Sequence, residues 1–430
     1  LSRGSPFSVA ASGQPISRPN KFGIMLLLLL SIACSHGIDI SALNASFVRM
    51  EPEVVPWNPV SSSWIKIGRA PLEKLLNLTA VIRIDDDIEE ALEEMVMAVS
   101  TPGREMYGQH MNVSELTEFL AVPPSRPGRV REYFLKMGAI EAVVLPNRDM
   151  IEIAIPVAAL ERALQTTIGL FSHRDSRRQI FRATEAYHMP ADLAGDVLMV
   201  GELLQFPRVI TPIEIPEGFR TVNSSWPNKC SADCEDLVTP FVLEDAYSLP
   251  TLEERLMMTA VDNSMAVAEF EFEYFEKSDL KMFNKACHQN VTVAKVIGGN
   301  QPDPGDEAEL DIEYIKAVAP SVPLTVIYLD DYSLLKWGNK ITKKDGMPLV
   351  HSVSYGNDEA QQTSIGYMKS VNRVFKKAAM QGKSILFASG DQGVCGREGC
   401  DPEFNPDFPG ASPYVTAVGG TNFERDGVVG

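Results

Sequence analysis

The 430-residue chain is poor in the residues on which much catalytic chemistry relies, with only six histidines and six cysteines. It has no HExxH pair of helical imidazoles and lacks the two CxxC pairs of a zinc ribbon. No apolar run approaches the roughly 20 residues needed to cross a bilayer. Positive charge is also short: 39 Lys and Arg face 57 Asp and Glu, for a formal net charge of -18. Such an acidic surface repels phosphate backbones and argues against a nucleic-acid partner. At low pH many of those carboxylates would be neutral and the excess would shrink. With 45% hydrophobic residues the chain is not disordered and has ample material for two packed domains.

Its first residue is Leu1 rather than Met, so position 1 is not read as a natural start. Residues 1–24 are rich in Ser, Pro and Gly and show no apolar period. Met25 then opens an apolar run, Leu26 to Leu30 into Ile32 and Ala33, with the length of a signal-peptide core. Ala33-x-Ser35 and Ser35-x-Gly37 are both cleavage patterns, which puts a mature start near 36–38. Five N-x-Ser/Thr sequons follow, at Asn44, Asn77, Asn112, Asn223 and Asn290, as in a glycosylated secretory protein. Cys34 leaves with the signal. The remainder are Cys230, Cys234, Cys287, Cys395 and Cys400, an odd number. Cys230 with Cys234, and Cys395 with Cys400, are candidate local bridges, subject to distance.

Beyond the upstream extension and signal (1–37), two rhythms divide the chain. In 38–236 a strand at 78–84 precedes a helix capped by Asp86 or Asp87, with Ile88, Leu92, Met95, Val96 and Val99 on one stripe. Helical patterns follow at 113–120 and 129–137, strands at 139–145 and 150–155, and a helix at 157–166. The order β, α, β, β, α fits a ferredoxin-like α+β domain. The polar stretch from Asn223 to Asp236 reads as a linker. In 237–430 helices at 265–275 and 279–286 precede a strand at 291–297. A helix at 307–318 leads to a strand at 324–329, then come a strand at 349–354, a helix at 364–381 and strands at 384–389 and 414–418. Strands alternating with helices predict a doubly wound parallel sheet, whose sites form at the carboxyl ends of strands.

Three constellations carry candidate chemistry. Glu307 and Asp311 stand four apart after the Gly305 turn and so share one helical face. Two carboxylates held together cannot both ionise cheaply, so one becomes a general base usable at acid pH, where histidine is protonated. The competing reading is a solvated helix start, since Asp306, Glu309 and Glu313 are acidic as well. The second constellation is Ser389-Gly390-Asp391 at the end of an apolar strand. There a protonated Asp391 could donate to a developing oxyanion, although Asp in a Gly-rich turn is also ordinary. The third, residues 408–421 (FPGASPYVTAVGGT), reads as a proline-shaped loop entering a buried strand.

Together and in this order, the three resemble the sedolisins, the serine-carboxyl peptidases, and most of all their tripeptidyl-peptidase branch. Glu307 and Asp311 match the family's Glu-x-x-x-Asp helix, Ser389-Gly390-Asp391 its oxyanion turn, and 408–421 its Phe-Pro-x-x-Ser-Pro-Tyr-Val-Thr-x-Val-Gly-Gly-Thr block. Ser354-Tyr355-Gly356 resembles the strand end that lies along bound peptide. Val238-Thr239-Pro240 resembles the segment after the activation cleavage. Ala98-Val99-Ser100, Pro102 and Tyr107-Gly108 resemble the family propeptide. The likeness extends over residues 75–423.

What the resemblance implies is a subtilisin-like α/β catalytic sheet, incomplete here, behind a ferredoxin-like propeptide that acts as intramolecular inhibitor. Its substrates would be peptides or proteins and its compartment the lysosome or the extracellular space. Glu307 would take the proton of a serine hydroxyl, Asp311 would set the pKa of Glu307, and Asp391 would stabilise the oxyanion. Ser354, Tyr355, Gly356, Ser389 and Gly390 would line the substrate. The nucleophile would come from a later Gly-Thr-Ser turn. Gly420-Thr421 is followed by Asn422, so the expectation is a chain that stops short of its serine and is inactive by itself. Calcium is implied too, with ligands beyond residue 430, and a disulfide partner for Cys395 is implied there as an alternative to Cys400. Two rival readings are a truncated, non-catalytic binding or chaperone-like protein, and a histidine-dependent subtilase. The second is weak because no histidine stands in the turn-then-helix setting it needs. His351 reads as a packed core histidine and Lys376-Lys377 as a solvated helix face.

Overall fold

A computed structural model describes residues 46–56, 63–174, 178–207, 238–258, 262–359, 364–396 and 404–421. The signal-like segment, Asn44, Asn223, Cys34, Cys230, Cys234, Cys400, the linker through residue 237 and everything after Thr421 lie outside them.

The amino-terminal strands are β1 (Phe47–Arg49), β2 (Trp64–Arg69), β3 (Leu75–Ile82), β4 (Glu141–Val144), β5 (Met150–Pro156), β6 (Ile168–His173), β7 (Gln179–Ala183), β8 (His188–Pro190) and β9 (Val197–Val200). Their main helices are α1 (Asp86–Ser100), α2 (Val113–Leu120), α3 (Ser125–Met137) and α4 (Val157–Leu164). One sheet has the order β4-β5-β3-β9, every neighbour antiparallel. With its helices this is the split βαβ arrangement that the β, α, β, β, α order pointed to. The short sheet β2-β6-β7 was not foreseen.

Helix α1 buries Leu92, Val96 and Val99, the expected stripe. Its N-cap is Asp85, not Asp86 or Asp87, and Asp85 makes no capping bond. Its carboxylate instead receives Arg126 at 2.9 Å, while Asp86, Asp87 and Glu89 sit in the first turn, where the helix dipole favours them.

The carboxyl-terminal strands are β10 (Met265–Phe270), β11 (Lys295–Ile297), β12 (Leu324–Leu329), β13 (Val350–Val353), β14 (Asn357–Asp358), β15 (Ser384–Ala388), β16 (Asp407–Phe408) and β17 (Thr416–Val418). Helices α5 (Lys277–Ala286), α6 (Asp306–Val318), α7 (Leu334–Thr342) and α8 (Ile365–Met380) alternate with them. Six strands form a parallel sheet in the order β11-β12-β10-β13-β15-β17.

Residues 265–275, expected to be helical, instead supply the strand β10. All six of its residues are buried, because it is central and covered on both faces. Met265 and Val267 pack with Leu280 of α5 and Ile312 of α6. Ala266, Ala268 and Phe270 pack with Trp337 of α7 and Phe375 of α8. A strand buried on both sides loses its polar alternation, and an apolar run of that kind cannot be told from a buried helix by period.

Residues from Phe47 onward form one compact unit. Val81, Leu145, Met150 and Met199 of the amino-terminal sheet join Trp337, Val371 and Phe375 in a shared core. The expectation of a solvated face at Lys376-Lys377 fails here. Helix α8 is wedged between the two sheets, and Lys377 is only 1% exposed. Its ammonium donates to both carboxylate oxygens of Asp149, at 3.1 and 2.9 Å, and that side chain is fully buried. Arg373 pairs with Glu89 and donates to the Ile82 carbonyl at 2.9 Å. Lys376 pairs with Glu93 at 2.9 Å and lies 5.0 Å from the Tyr414 ring centre. At the other end of the interface the N-cap serines of α7 and α8 donate to buried amino-terminal glutamates, Ser333 to Glu202 at 2.6 Å and Ser364 to Glu51.

An orphaned buried carboxylate is costly. We therefore expect Lys377→Ala to lower the unfolding free energy by about 3–5 kcal/mol in urea titrations. A loss under about 1 kcal/mol would contradict this account of the interface.

Candidate active site

The carboxyl ends of the parallel strands bring the acidic residues together. Helix α6 begins after Gly305, whose amide donates to the Tyr274 carbonyl at 2.9 Å. A Cβ at Gly305 would lie 1.9 Å from Glu273 Oε2, so only glycine lets that carboxylate tuck in beside the helix start. Glu307 and Asp311 then lie one turn apart on α6. The Ser354 hydroxyl, just past β13, reaches both Asp311 carboxylate oxygens at 2.8 Å.

These groups are strongly coupled. Burial first, and then the charge of Asp311, push Glu307 up to about 7, with Glu273 and Asp391 adding and Ser354 opposing. Burial raises Asp311 to about 6, again against Ser354. The effect of Asp391 on Glu307 means that the Ser389-Gly390-Asp391 turn after β15 faces the pair electrostatically. Asp391 and Ser389 are exposed and Gly390 is half-buried. The Ser389 amide is tied to the Val418 carbonyl of β17 at 3.0 Å.

Sequence reasoning missed two carboxylates. Glu269, fully buried at the end of β10, accepts a hydrogen bond from the Tyr355 hydroxyl at 3.1 Å. Burial, then Asp311, hold it well above the usual carboxylate range, and Glu307 adds to the effect. The misassignment of β10 as a helix hid it. The other is Asp407, on β16, which pairs with β14. A Cβ on Gly356 would fall 1.9 Å from Asp407 Oδ1, and one on Gly390 3.1 Å from Oδ2. Asp407 thus lies between the two glycines picked from sequence, and its position just before Phe408 was the available signal.

From the amino-terminal side, Arg178 beside β7 reaches Glu271 at 2.9 Å and Glu273 at 3.9 Å. Burial nonetheless raises Glu271 to about 7. An amino-terminal guanidinium therefore sits on the acidic segment that leads to helix α6.

The other expected residues fall as follows. Tyr414 of the 408–421 block donates to Glu93 of α1, and Ser412 to Asn372 at 2.8 Å. His351 is 1% exposed, with Nε2 against the Pro348 carbonyl at 2.8 Å, and burial lowers it to about 4. It is the core histidine that the sequence suggested. Cys395 is disulfide-bonded. Asn112 and Asn290 are exposed. Among the described residues there is no cluster of metal-ligating side chains and no helix long and apolar enough to cross a membrane.

Residues 62–206 match the family described as Pro-kumamolisin, activation domain. Tripeptidyl-peptidase 1 of Rattus norvegicus is 31% identical over 380 residues, covering 84% of this chain and 64% of the relative. For Canis lupus familiaris the values are 31% over 398 residues, 89% and 68%, and for Homo sapiens 30% over 408 residues, 91% and 69%. The chain thus spans about two thirds of the length of these relatives. Among solved structures, Pseudomonas sedolisin, a serine-carboxyl proteinase, is 22% identical over 45% of this chain and 56% of its own, with a TM-score of 0.34 that is too low to argue from. On the sequence relationship, sustained over most of the chain and more than two thirds of the canine and human relatives, the chain belongs to the sedolisin family of serine-carboxyl peptidases.

Proposed function

We propose that this chain carries the propeptide and the acid–base half of an acid-acting serine peptidase made as a zymogen in the secretory pathway, for the lysosome or the extracellular space. The observation that carries the reading is the Ser354–Asp311–Glu307 group, with two coupled carboxyls one helical turn apart and Glu307 raised to about 7. A carboxyl pair that shares a proton keeps one ionised member at mildly acid pH and can take a hydroxyl proton there. Glu307 accepts the proton of the nucleophilic serine, which the family pattern places on a later Gly-Thr-Ser turn. Asp311, fixed by Ser354, orients Glu307. Asp391, in its acid form, donates to the oxyanion of the tetrahedral intermediate. Ser354, Tyr355, Gly356, Ser389 and Gly390 line the peptide. The strand order of the parallel sheet is compatible with a subtilisin-like catalytic domain. The calcium implied by the family takes no part in these steps.

Similarity to tripeptidyl-peptidases favours removal of tripeptides from free amino termini. In the zymogen, Arg178 on Glu271 and Glu273 keeps the propeptide seated beside the helix that bears Glu307.

The decisive experiment is acidification of the full-length gene product. Autoprocessing near 236–238 and cleavage of a tripeptide reporter are expected, and the absence of both at every acid pH would refute the reading. In the same protein, Glu307→Gln, Asp311→Asn and Asp391→Asn should each lower kcat by roughly 10²-fold or more. Full activity in any of them would remove that residue from its role.

A second prediction needs only the 430-residue chain. A carboxyl raised in the folded state binds its proton more tightly there than in the unfolded chain. Its favourable contribution is complete below the unfolded pKa of 4.5 and is lost as pH rises through about 7. Glu307→Gln should therefore stabilise the chain by about 1–2 kcal/mol at pH 8, after discounting for partial exposure and coupling, and by almost nothing at pH 4. Equal effects in urea melts at the two pH values would contradict the coupled pair.

A further inference from the structure

A cavity of about 390 Å³ lies between the amino-terminal sheet and the end of the parallel sheet, within the roughly 300–1,000 Å³ of ordinary ligand sites. Asn77 of β3, Glu141 of β4 and Glu152 of β5 form one wall. Asp330, just past β12, and Lys340 of α7 form the other. Strand alternation sets the facing: Leu78, Ala80 and Ile82 enter the amino-terminal core, while Val81 enters the shared core. Asn77 has the same parity as Val81, so its side chain stands on the docking face, exposed at the edge of the cavity.

Asn77 opens the sequon Asn77-Leu78-Thr79. A glycan there would start at the mouth of the cavity, where the two sheets face each other. The cavity has the chemistry for one. Glu141 and Asp330 can accept hydrogen bonds from sugar hydroxyls, Glu152 being held by Lys343 at 2.9 Å, and Lys340 is half-buried and makes no ion pair among the described residues. Lys340 can thus donate to an acetamide carbonyl. Burial, then Lys343, lower its pKa, while Glu152 and Asp330 partly oppose the shift.

We propose that Asn77 carries an N-linked glycan whose first two N-acetylglucosamine residues occupy this cavity and bridge the propeptide sheet to the catalytic sheet. The bond forms between Asn77 Nδ2 and C1 of an oligosaccharide on a lipid diphosphate. The C1–O bond breaks, the amide loses one proton and the lipid diphosphate leaves. Transfer precedes folding, which then closes the two sheets over the sugar.

This rests on the secretory reading, and the test separates the two. The protein secreted by cultured animal cells is treated with peptide N-glycosidase, native and then denatured, and occupancy of each sequon is read by glycopeptide mass spectrometry. Asn77, Asn112 and Asn290 should all be occupied. In the native protein Asn77 should be released at least tenfold more slowly than the other two, and denaturation should abolish the difference. Lys340→Ala should shorten the Asn77 release time at unchanged occupancy. An unmodified Asn77 beside modified Asn112 and Asn290 overturns the proposal and leaves the secretory reading intact, as does an Asn77 glycan released as fast as theirs. Unmodified asparagines at all three sequons overturn both.

Discussion

The fold turns on helix α8, ten of whose sixteen residues are buried. It supplies core to the parallel sheet through Val371 and Phe375 and presents Arg373, Lys376 and Lys377 to amino-terminal carboxylates. A lysine ammonium buried beside a buried carboxylate is tolerated only when geometry and hydrogen bonding offset the desolvation. Here Asp149 receives that ammonium on both of its oxygens. Such a contact has little latitude, so it fixes where the amino-terminal sheet sits as well as holding it there.

Much of this architecture is written locally. Helices α1 and α2 and strand β12 can be read from their own residues, because each has one buried stripe, a recognisable start or a compact apolar run. Strand β10 is illegible for the opposite reason: tertiary burial on both faces erases the alternation that marks a strand. The lysines of α8 mislead in the same way. Nothing near Lys377 in sequence announces Asp149, which lies 228 positions away. Helix α7, rich in buried residues, was likewise invisible until its partners were known.

The candidate site divides similarly. Spacing places Glu307 and Asp311 on one helical face, and the family motifs supply Asp391 and Ser354. Glu269 and Asp407 arrive through strand pairing and glycine contacts that no local pattern encodes. Five carboxyls among few cations would be intolerable if all were ionised. The arrangement is chemically sensible because protons and hydroxyls, Ser354 on Asp311 and Tyr355 on Glu269, stand in for the missing positive charge. His351, packed away from solvent and lowered to about 4, does not compete for that role.

The serines that begin α7 and α8 have a wider consequence. Each hydroxyl accepts from a backbone amide of its own helix, Lys336 or Tyr367, and gives its proton to Glu202 or Glu51. The accepting half of that bond belongs to the helix and the donating half to its visitor. When the visitor departs, water can take up each freed proton while the helix end stays tied. At these two points, removal of the partner carboxylate would leave a small polar spot, and would not fray the helix behind it.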